Sequence, residues 1–172
     1  MAENGYTGRA ESAASTSGSA TARVEATFSA LFEREVAVFF VATGGAANAL
    51  ALSQFVPPWG MILCHQESHI QMDECGAPEF FTGGARLLAV EGPDVRMDPG
   101  TLDARVRETT HAGKPAAISV SQATEAGTVY SLESLRKLTE VARRHALGRR
   151  RRADHGICDL GVDLVLAVIR GR

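Results

Sequence analysis

The sequence VAVFFVATGGAANALAL, residues 36–52, contains an apolar run, a glycine turn and a second apolar run in direct succession. The first run, 36–42, has the length and composition of a buried strand, and the second predicts a helix over about 46–54. A helix start presents unpaired backbone N–H groups and the positive end of the helix dipole, and glycines let a ligand approach the backbone. Gly44 and Gly45 are therefore candidates for binding an anion such as phosphate. The pattern also suits a helix that packs on a sheet and binds no ligand.

Short apolar runs alternate with helical patterns along the rest of the chain. Further strands are predicted at 60–65, 86–90 and 116–121. Further helices are predicted from residue 22, over 68–75 with Ser68 as cap, from residue 99, and from residue 132 with Ser131 as cap. Continuously apolar strands separated by helices predict an α/β fold with a mostly parallel sheet and helices on both faces.

Three polar or glycine segments follow predicted strands, namely 43–45, 65–69 and 122–125. Ligands of parallel sheets bind at the carboxyl ends of the strands. We therefore expect these three segments to meet at one edge of the sheet and to form the binding site.

The composition fits a globular domain: of 172 residues, 45% are hydrophobic and 22% are charged, with a net charge of −2. This charge gives no reason to expect a nucleic acid or a membrane surface as partner. No apolar run has the roughly 18–20 residues that span a bilayer, and a cytoplasmic location is expected because the first residues lack a signal peptide pattern. The three cysteines have no zinc-ligand spacing, so no metal site is predicted. Residues 10–21 are small and polar, and residues 1–21 are expected to form a flexible or loosely packed N-terminal segment.

Several sequence segments together resemble the threonine aldolase group of the aromatic amino acid β-eliminating lyase family, whose members are fold-type I enzymes dependent on pyridoxal 5'-phosphate. The matching segments are 39–52, 69–70 with 73–77, 82–84 and 119–131. The resemblance runs from about residue 22 to residue 148. It implies that this stretch is a partial large domain of the pyridoxal-phosphate-dependent transferase fold.

The resemblance implies roles for five residues. Gly44 and Gly45 would lie under the cofactor phosphate, although the family usually has a hydroxyl residue at the position of Gly45. His69 matches the histidine that stacks on the pyridine ring and is the candidate catalytic residue. Glu74 matches an acidic residue near that ring, and Thr124 lines the same edge; the alternatives are an exposed helix carboxylate and a turn residue.

The reaction implied by the resemblance is the cleavage of L-threonine or L-allo-threonine to glycine and acetaldehyde. The cofactor supplies the electron sink for such chemistry. A small amino acid is the expected substrate. Members of the family are homo-oligomers, and for this chain the oligomeric state stays open.

The resemblance stops at residue 148. Four consecutive arginines, 149–152, replace an apolar strand of the family, and buried unpaired charges are costly. The Schiff-base lysine of the family has no counterpart, since the chain contains only Lys114 and Lys137. Lys114 lies just before the predicted strand 116–121, at the end away from the site. Residues 149–172 are therefore expected to be a diverged segment of a truncated or frameshifted member. Two hypotheses stay open: an aldehyde-lyase, and a catalytically inactive fragment that binds pyridoxal phosphate weakly at most.

Overall fold

The computed structural model describes residues 10–109 and 113–147. Within them, one compact unit comprises residues 10–39 and a second comprises residues 40–147. The helices are α1 (Ala10–Leu31), α2 (Gly44–Phe55), α3 (His69–Met72), α4 (Ala77–Phe81), α5 (Pro99–Glu108) and α6 (Leu132–Arg144). The strands are β1 (Gly60–His65), β2 (Arg86–Val90) and β3 (Lys114–Ile118).

The second unit is built on a three-stranded sheet in the order β2-β1-β3. Both strand pairs are parallel, and Leu63 in β1 is aligned with Leu88 on one side and with Ile118 on the other. Parallel neighbours need long connections, which α3 to α5 supply here. The predicted α/β fold with a parallel sheet is confirmed.

β1 is buried along its whole length, and its side chains alternate between two hydrophobic clusters. Leu63 belongs to a cluster with Leu102 of α5 and Leu138 of α6. Ile62 belongs to a cluster with Leu52 of α2. Since the helices of the two clusters lie on opposite faces of β1, the predicted two-sided helical covering is also confirmed.

The predicted start of the first helix is wrong, because α1 begins at Ala10 rather than near residue 22, while the flexibility of residues 1–21 stays a prediction. The segment lacks an apolar period, but it is rich in alanine, which has the highest intrinsic helix propensity. A helix can therefore form without the amphipathic pattern on which the prediction relied.

The predicted strand at 36–42 is absent: none of these residues belongs to a strand in the part of the chain that the structure describes. The backbone amides of Val36 and Val38 instead donate hydrogen bonds to side chains of α1. Val36 N–H donates to Ser29 Oγ at 3.1 Å, and Val38 N–H donates to Glu25 Oε1 at 3.1 Å. The run is buried only at Val36 and Val38, whereas Phe39 and Phe40 are 56% and 64% exposed, so the predicted burial holds for its first half alone. Ala37 forms an isolated β-bridge and no strand.

Several large apolar side chains of the second unit are exposed. Trp59, which directly precedes β1, is 71% exposed, and Phe80 of α4 is 78% exposed. The rings of Phe80 and Phe81 contact each other edge to face, with centroids 5.2 Å apart. Among the described helices, none combines the length and the apolar character that crossing a bilayer requires.

Candidate functional site

The glycine turn forms the first turn of α2. The helix begins at Gly44, and Thr43 is its N-cap, with Oγ1 accepting a hydrogen bond from Ala46 N–H at 3.1 Å. In any α-helix the first amides have no intrahelical acceptor, so those of Gly44 and Gly45 are oriented to bind an anion. The predicted helix after the glycine turn is confirmed, with both glycines inside it.

Glu74 lies against this first turn. A Cβ atom built on Gly45 would be 3.5 Å from Cδ of Glu74 and 3.6 Å from its Oε1. Asn48 Nδ2 donates a very short hydrogen bond to the same Oε1. Glu74 is only 8% exposed, so it is not a solvent-exposed helix carboxylate. The contact places the chain after α3 next to the start of α2.

Asn48 was not predicted to have a role of its own. It is the single polar residue in the run Ala46–Leu52, and it is buried. A lone amide between small apolar side chains of a buried helix needs a hydrogen-bonding partner. The isolated polar residue could therefore have indicated a buried hydrogen bond at Asn48, although the sequence could not identify Glu74 as the partner.

The environment of Glu74 shifts the ionisation of its carboxyl group. Burial raises the pKa of Glu74, and this is the largest effect. The hydrogen bond from Asn48 and the nearby His69 oppose the increase, while Glu79 adds to it. The result is a carboxyl group that takes up a proton more readily than an exposed glutamate.

His69 begins α3 and lies between two carboxylates. Its Nδ1 is 3.4 Å from Oδ2 of Asp73 and 3.5 Å from Oε1 of Glu125. Asp73 is on the next turn, but Glu125 belongs to the loop after β3, so the imidazole joins two strand-end segments. Glu74, which follows α3, lies beside Gly45, so the segments 43–45, 65–69 and 122–125 are linked through Glu74 and His69. The segment 43–45 does not end a strand, because the predicted strand before it is absent.

The grouping of His69, Asp73 and Glu125 brings an imidazole nitrogen and two carboxylate oxygens within 4.8 Å of one another. All three side chains are exposed, and each carboxylate has the imidazole as a neighbour of complementary charge when His69 is protonated. We assign no metal ion to them.

Thr124 closes a tight turn beside this group. Its hydroxyl oxygen lies 2.8 Å from that of Thr128 and accepts a hydrogen bond from Thr128 N–H at 3.2 Å. Thr124 and Glu125 also line a small cavity together with His65 and Tyr130. The structure therefore places Thr124 at the predicted edge with its hydroxyl directed to the turn, and its role toward a cofactor stays a prediction.

His65 ends β1 and has partners on both ring nitrogens. Nδ1 accepts a hydrogen bond from Glu67 N–H at 3.1 Å, and Nε2 is 3.2 Å from the carbonyl oxygen of Gly92. These contacts fix the neutral tautomer with hydrogen on Nε2, because a carbonyl oxygen only accepts. His65 is thus a structural residue that holds the loops after β1 and β2.

Ser68 precedes α3 but does not cap it through its side chain, contrary to the prediction. The residue is buried beside the Cys64 thiol rather than turned toward the helix amides. Burial raises the pKa of Cys64 to about 11, against the opposing influence of Ser68. Cys64 is therefore an unreactive core residue.

The two lysines lie away from this edge. Lys114 is the first residue of β3, at the amino end of the strand. Lys137 is on α6, where Nζ is 2.7 Å from Oε1 of Glu133. The described ranges thus provide no lysine at the candidate site. The predictions for the segment 149–172 lie outside the described residues.

Known proteins share parts of this sequence and of this fold. The family model of the beta-eliminating lyases matches residues 5–148 of the sequence. Low specificity L-threonine aldolases from a Pseudomonas species and from Pseudomonas aeruginosa are each 37% identical over 125 residues, which are 72% of this chain and 36% of theirs. The structure of threonine aldolase from Leishmania major superposes with a TM-score of 0.64 at 27% identity, covering 69% of this chain and 35% of that one. The chain therefore spans about a third of the length of these relatives.

Proposed function

Because the chain belongs to the beta-eliminating lyase family, we propose that it forms the cofactor-binding part of a pyridoxal-phosphate-dependent carbon–carbon lyase. The proposed substrate is a small β-hydroxy amino acid such as L-threonine or L-allo-threonine. The observation that carries the proposal is the hydrogen bond between Asn48 and Glu74, which holds the segment after α3, the helix that begins at His69, beside the first turn of α2.

The described residues fit the phosphate end of the cofactor. Gly44 and Gly45 have no side chains to obstruct an anion, and Thr43 occupies only one of the first amides through its own capping bond. When bound, pyridoxal phosphate would supply the electron sink that weakens the Cα–Cβ bond of the substrate. The chain's own part is to bind the phosphate at α2 and to orient the ring at His69.

His69 is suited to a second task. Both carboxylate contacts reach Nδ1, so the imidazole is oriented while Nε2 lies outside these contacts. A neutral imidazole can accept a proton from a hydroxyl within hydrogen-bond reach. We assign to Nε2 the acceptance of the proton from the β-hydroxyl group of the substrate.

A second candidate function is cofactor binding without catalysis. The positions of Lys114 and Lys137 favour it, because neither lysine is at the candidate site. Arginine does not replace a lysine in covalent attachment, since its guanidinium stays protonated. Under this proposal the full chain binds pyridoxal phosphate noncovalently and does not turn over threonine.

Binding is tested by titrating the full chain with pyridoxal phosphate and recording the melting temperature. We expect a stabilisation that increases with cofactor concentration and is weakened in His69→Ala. Gln54→Ala, at an exposed position near the end of α2, is the matched control and should behave as the parent chain. Equal affinity in His69→Ala would contradict the assignment of His69 to the ring.

Catalysis is tested separately by measuring acetaldehyde released from L-threonine. Borohydride reduction followed by mass spectrometry tests covalent attachment at the same time. Turnover by the verified full chain would reject the noncatalytic proposal, and cofactor mass on Lys114 or Lys137 would reject the noncovalent one. Light scattering with and without cofactor determines the oligomeric state in which either activity occurs.

A further inference from the structure

Two buried acceptor atoms beside the first turn of α2 lack a hydrogen-bond partner in the described structure. They are Oδ1 of Asn48 and Oε2 of Glu74. The second polar atom of each side chain already has a partner, because Asn48 Nδ2 donates a hydrogen bond to Glu74 Oε1. Buried polar atoms without partners are unusual in folded proteins and reduce stability.

A single proton can satisfy both atoms. A neutral carboxylic acid has one O–H donor, and a primary amide offers one carbonyl acceptor beside its N–H donor. An acid and an amide can therefore form two hydrogen bonds in parallel. An ionised carboxylate cannot, since it only accepts and would face another acceptor.

We propose that Glu74 carries a proton on Oε2 at pH values where exposed glutamates are ionised, and donates it to Oδ1 of Asn48. The neutral pair keeps negative charge away from the first turn of α2, beside Gly45. This electrostatic part of the proposal rests on the proposed binding of a phosphate at that turn. Glu74 is thus a positioning residue, and it acts on the phosphate through the electrostatic field rather than by contact.

The charged groups around Glu74 are consistent with this state. α2 contributes no charged side chain near the carboxyl group, only Gly45 and Asn48. Glu79 of α4 disfavours a second negative charge, and His69 of α3 favours it. His69 is itself shared with the carboxylates of Asp73 and Glu125. Burial of Glu74 tips the balance toward the neutral form.

The proton is tested by the stability of the full chain as a function of pH. A group whose pKa is raised by folding contributes its stability at low pH, and the contribution is lost as the pH rises through the folded pKa. Glu74→Gln keeps an N–H donor in place of the O–H but cannot ionise. We expect the parent chain to lose stability relative to Glu74→Gln as the pH rises from the ordinary glutamate value of 4.5.

Glu140→Gln is the matched control, since it removes one exposed carboxylate from α6. The parent chain should not lose stability relative to Glu140→Gln over this pH range. Infrared spectroscopy of the parent chain at about pH 6, where exposed glutamates are ionised, should show the carbonyl band of a buried carboxylic acid. Because it uses the parent chain, this measurement tests the proton on Glu74 even if Glu74→Gln does not fold.

The effect on the phosphate is tested by the dissociation constant of pyridoxal phosphate at several pH values. Phosphate monoesters titrate near pH 6, so the ratio between parent and variant is compared rather than either constant alone. Above the folded pKa we expect Glu74→Gln to bind roughly tenfold more tightly than the parent chain, the scale of one nearby charge. At low pH the two should bind alike.

The outcomes separate the two parts. A stability difference that does not change with pH, together with no carboxylic acid band, would overturn the proton on Glu74. If neither protein binds pyridoxal phosphate at any pH while the stability curves diverge as expected, the proton is supported and the proposed cofactor function fails. Equal binding at every pH, with diverging stability curves, would overturn the electrostatic role alone.

Discussion

The phenolic oxygen of Tyr130 accepts a hydrogen bond from the backbone amide of Met97 at 2.7 Å. Both residues are nearly fully buried, and they belong to the same hydrophobic cluster as Leu63. Burial raises the pKa of Tyr130, so the phenol stays neutral at physiological pH. This contact joins the loop before α5 to the loop before α6.

Tyr130→Phe should lower the free energy of unfolding by about 1–3 kcal/mol, because it leaves the buried Met97 amide without an acceptor. Urea denaturation followed by far-UV circular dichroism measures this. An unchanged midpoint would mean that water or another group replaces the phenol.

Leu102→Ala should lower the free energy of unfolding by about 2–5 kcal/mol, since it removes a fully buried side chain between α5 and the sheet. Leu132→Ala is the matched control, because Leu132 is 72% exposed. Its effect should stay within about 0.5 kcal/mol. Comparable losses in the two variants would place Leu102 outside the core.

Asp103→Asn should destabilise the contact between α5 and α6. Asp103 Oδ1 is 2.7 Å from Nε2 of His145 and 3.0 Å from Nη1 of Arg144. The hydrogen bond with His145 is the main reason why the pKa of Asp103 is lowered from its ordinary value of 3.8.

A lowered pKa contributes stability above the ordinary value, and this contribution is lost as the pH falls through the folded pKa. The melting temperature of Asp103→Asn should therefore be lower by a few degrees at pH 7, with the difference shrinking below about pH 4. Glu133→Gln, whose ion pair with Lys137 lies within α6, is the control with a smaller expected effect. A difference that persists unchanged at low pH would show that the charge of Asp103 is not responsible.

Gly45→Ala should be tolerated and should raise stability by up to about 1 kcal/mol, because alanine favours the helix. Its Cβ would make only ordinary contact with Glu74, at 3.5 Å. Gly60→Ala is the contrasting variant, since its Cβ would lie 2.7 Å from Cγ1 of Val56. That overlap should cost about 1–3 kcal/mol. Chemical denaturation measures the free energy of unfolding of both variants. A larger loss in Gly45→Ala than in Gly60→Ala would contradict the geometry of the first turn.

The elements that the sequence predicted well have strong local signals. β1 and β2 have the predicted bounds, and Ser131 caps α6 by accepting a hydrogen bond from Ser134 N–H at 3.1 Å. Proline after Asp98 likewise marked the start of α5. Short apolar strands and capping residues carry this information within a few neighbouring positions.

Predictions that depended on partners distant in sequence were less successful. The apolar run at 36–42 predicted a buried strand, but only Val36 and Val38 are buried, and side chains of α1 accept the hydrogen bonds of their amides. The hydrogen bond between Asn48 and Glu74 joins residues 26 positions apart, so no local pattern could predict it. The strand pattern predicted that the segments of His69 and Glu125 lie at the same edge of the sheet, whereas the approach of His69 Nδ1 to Glu125 Oε1 required the fold.

Trp59 is the chain's single tryptophan, and it protrudes into solvent just before β1 begins. Its indole is already hydrated in the native state, so its emission colour should change little on denaturation. It also lies at the amino end of β1, whereas His69 follows the carboxyl end of this strand. The emission colour of this indole is thus a poor reporter both of unfolding and of direct contact with a ligand at His69.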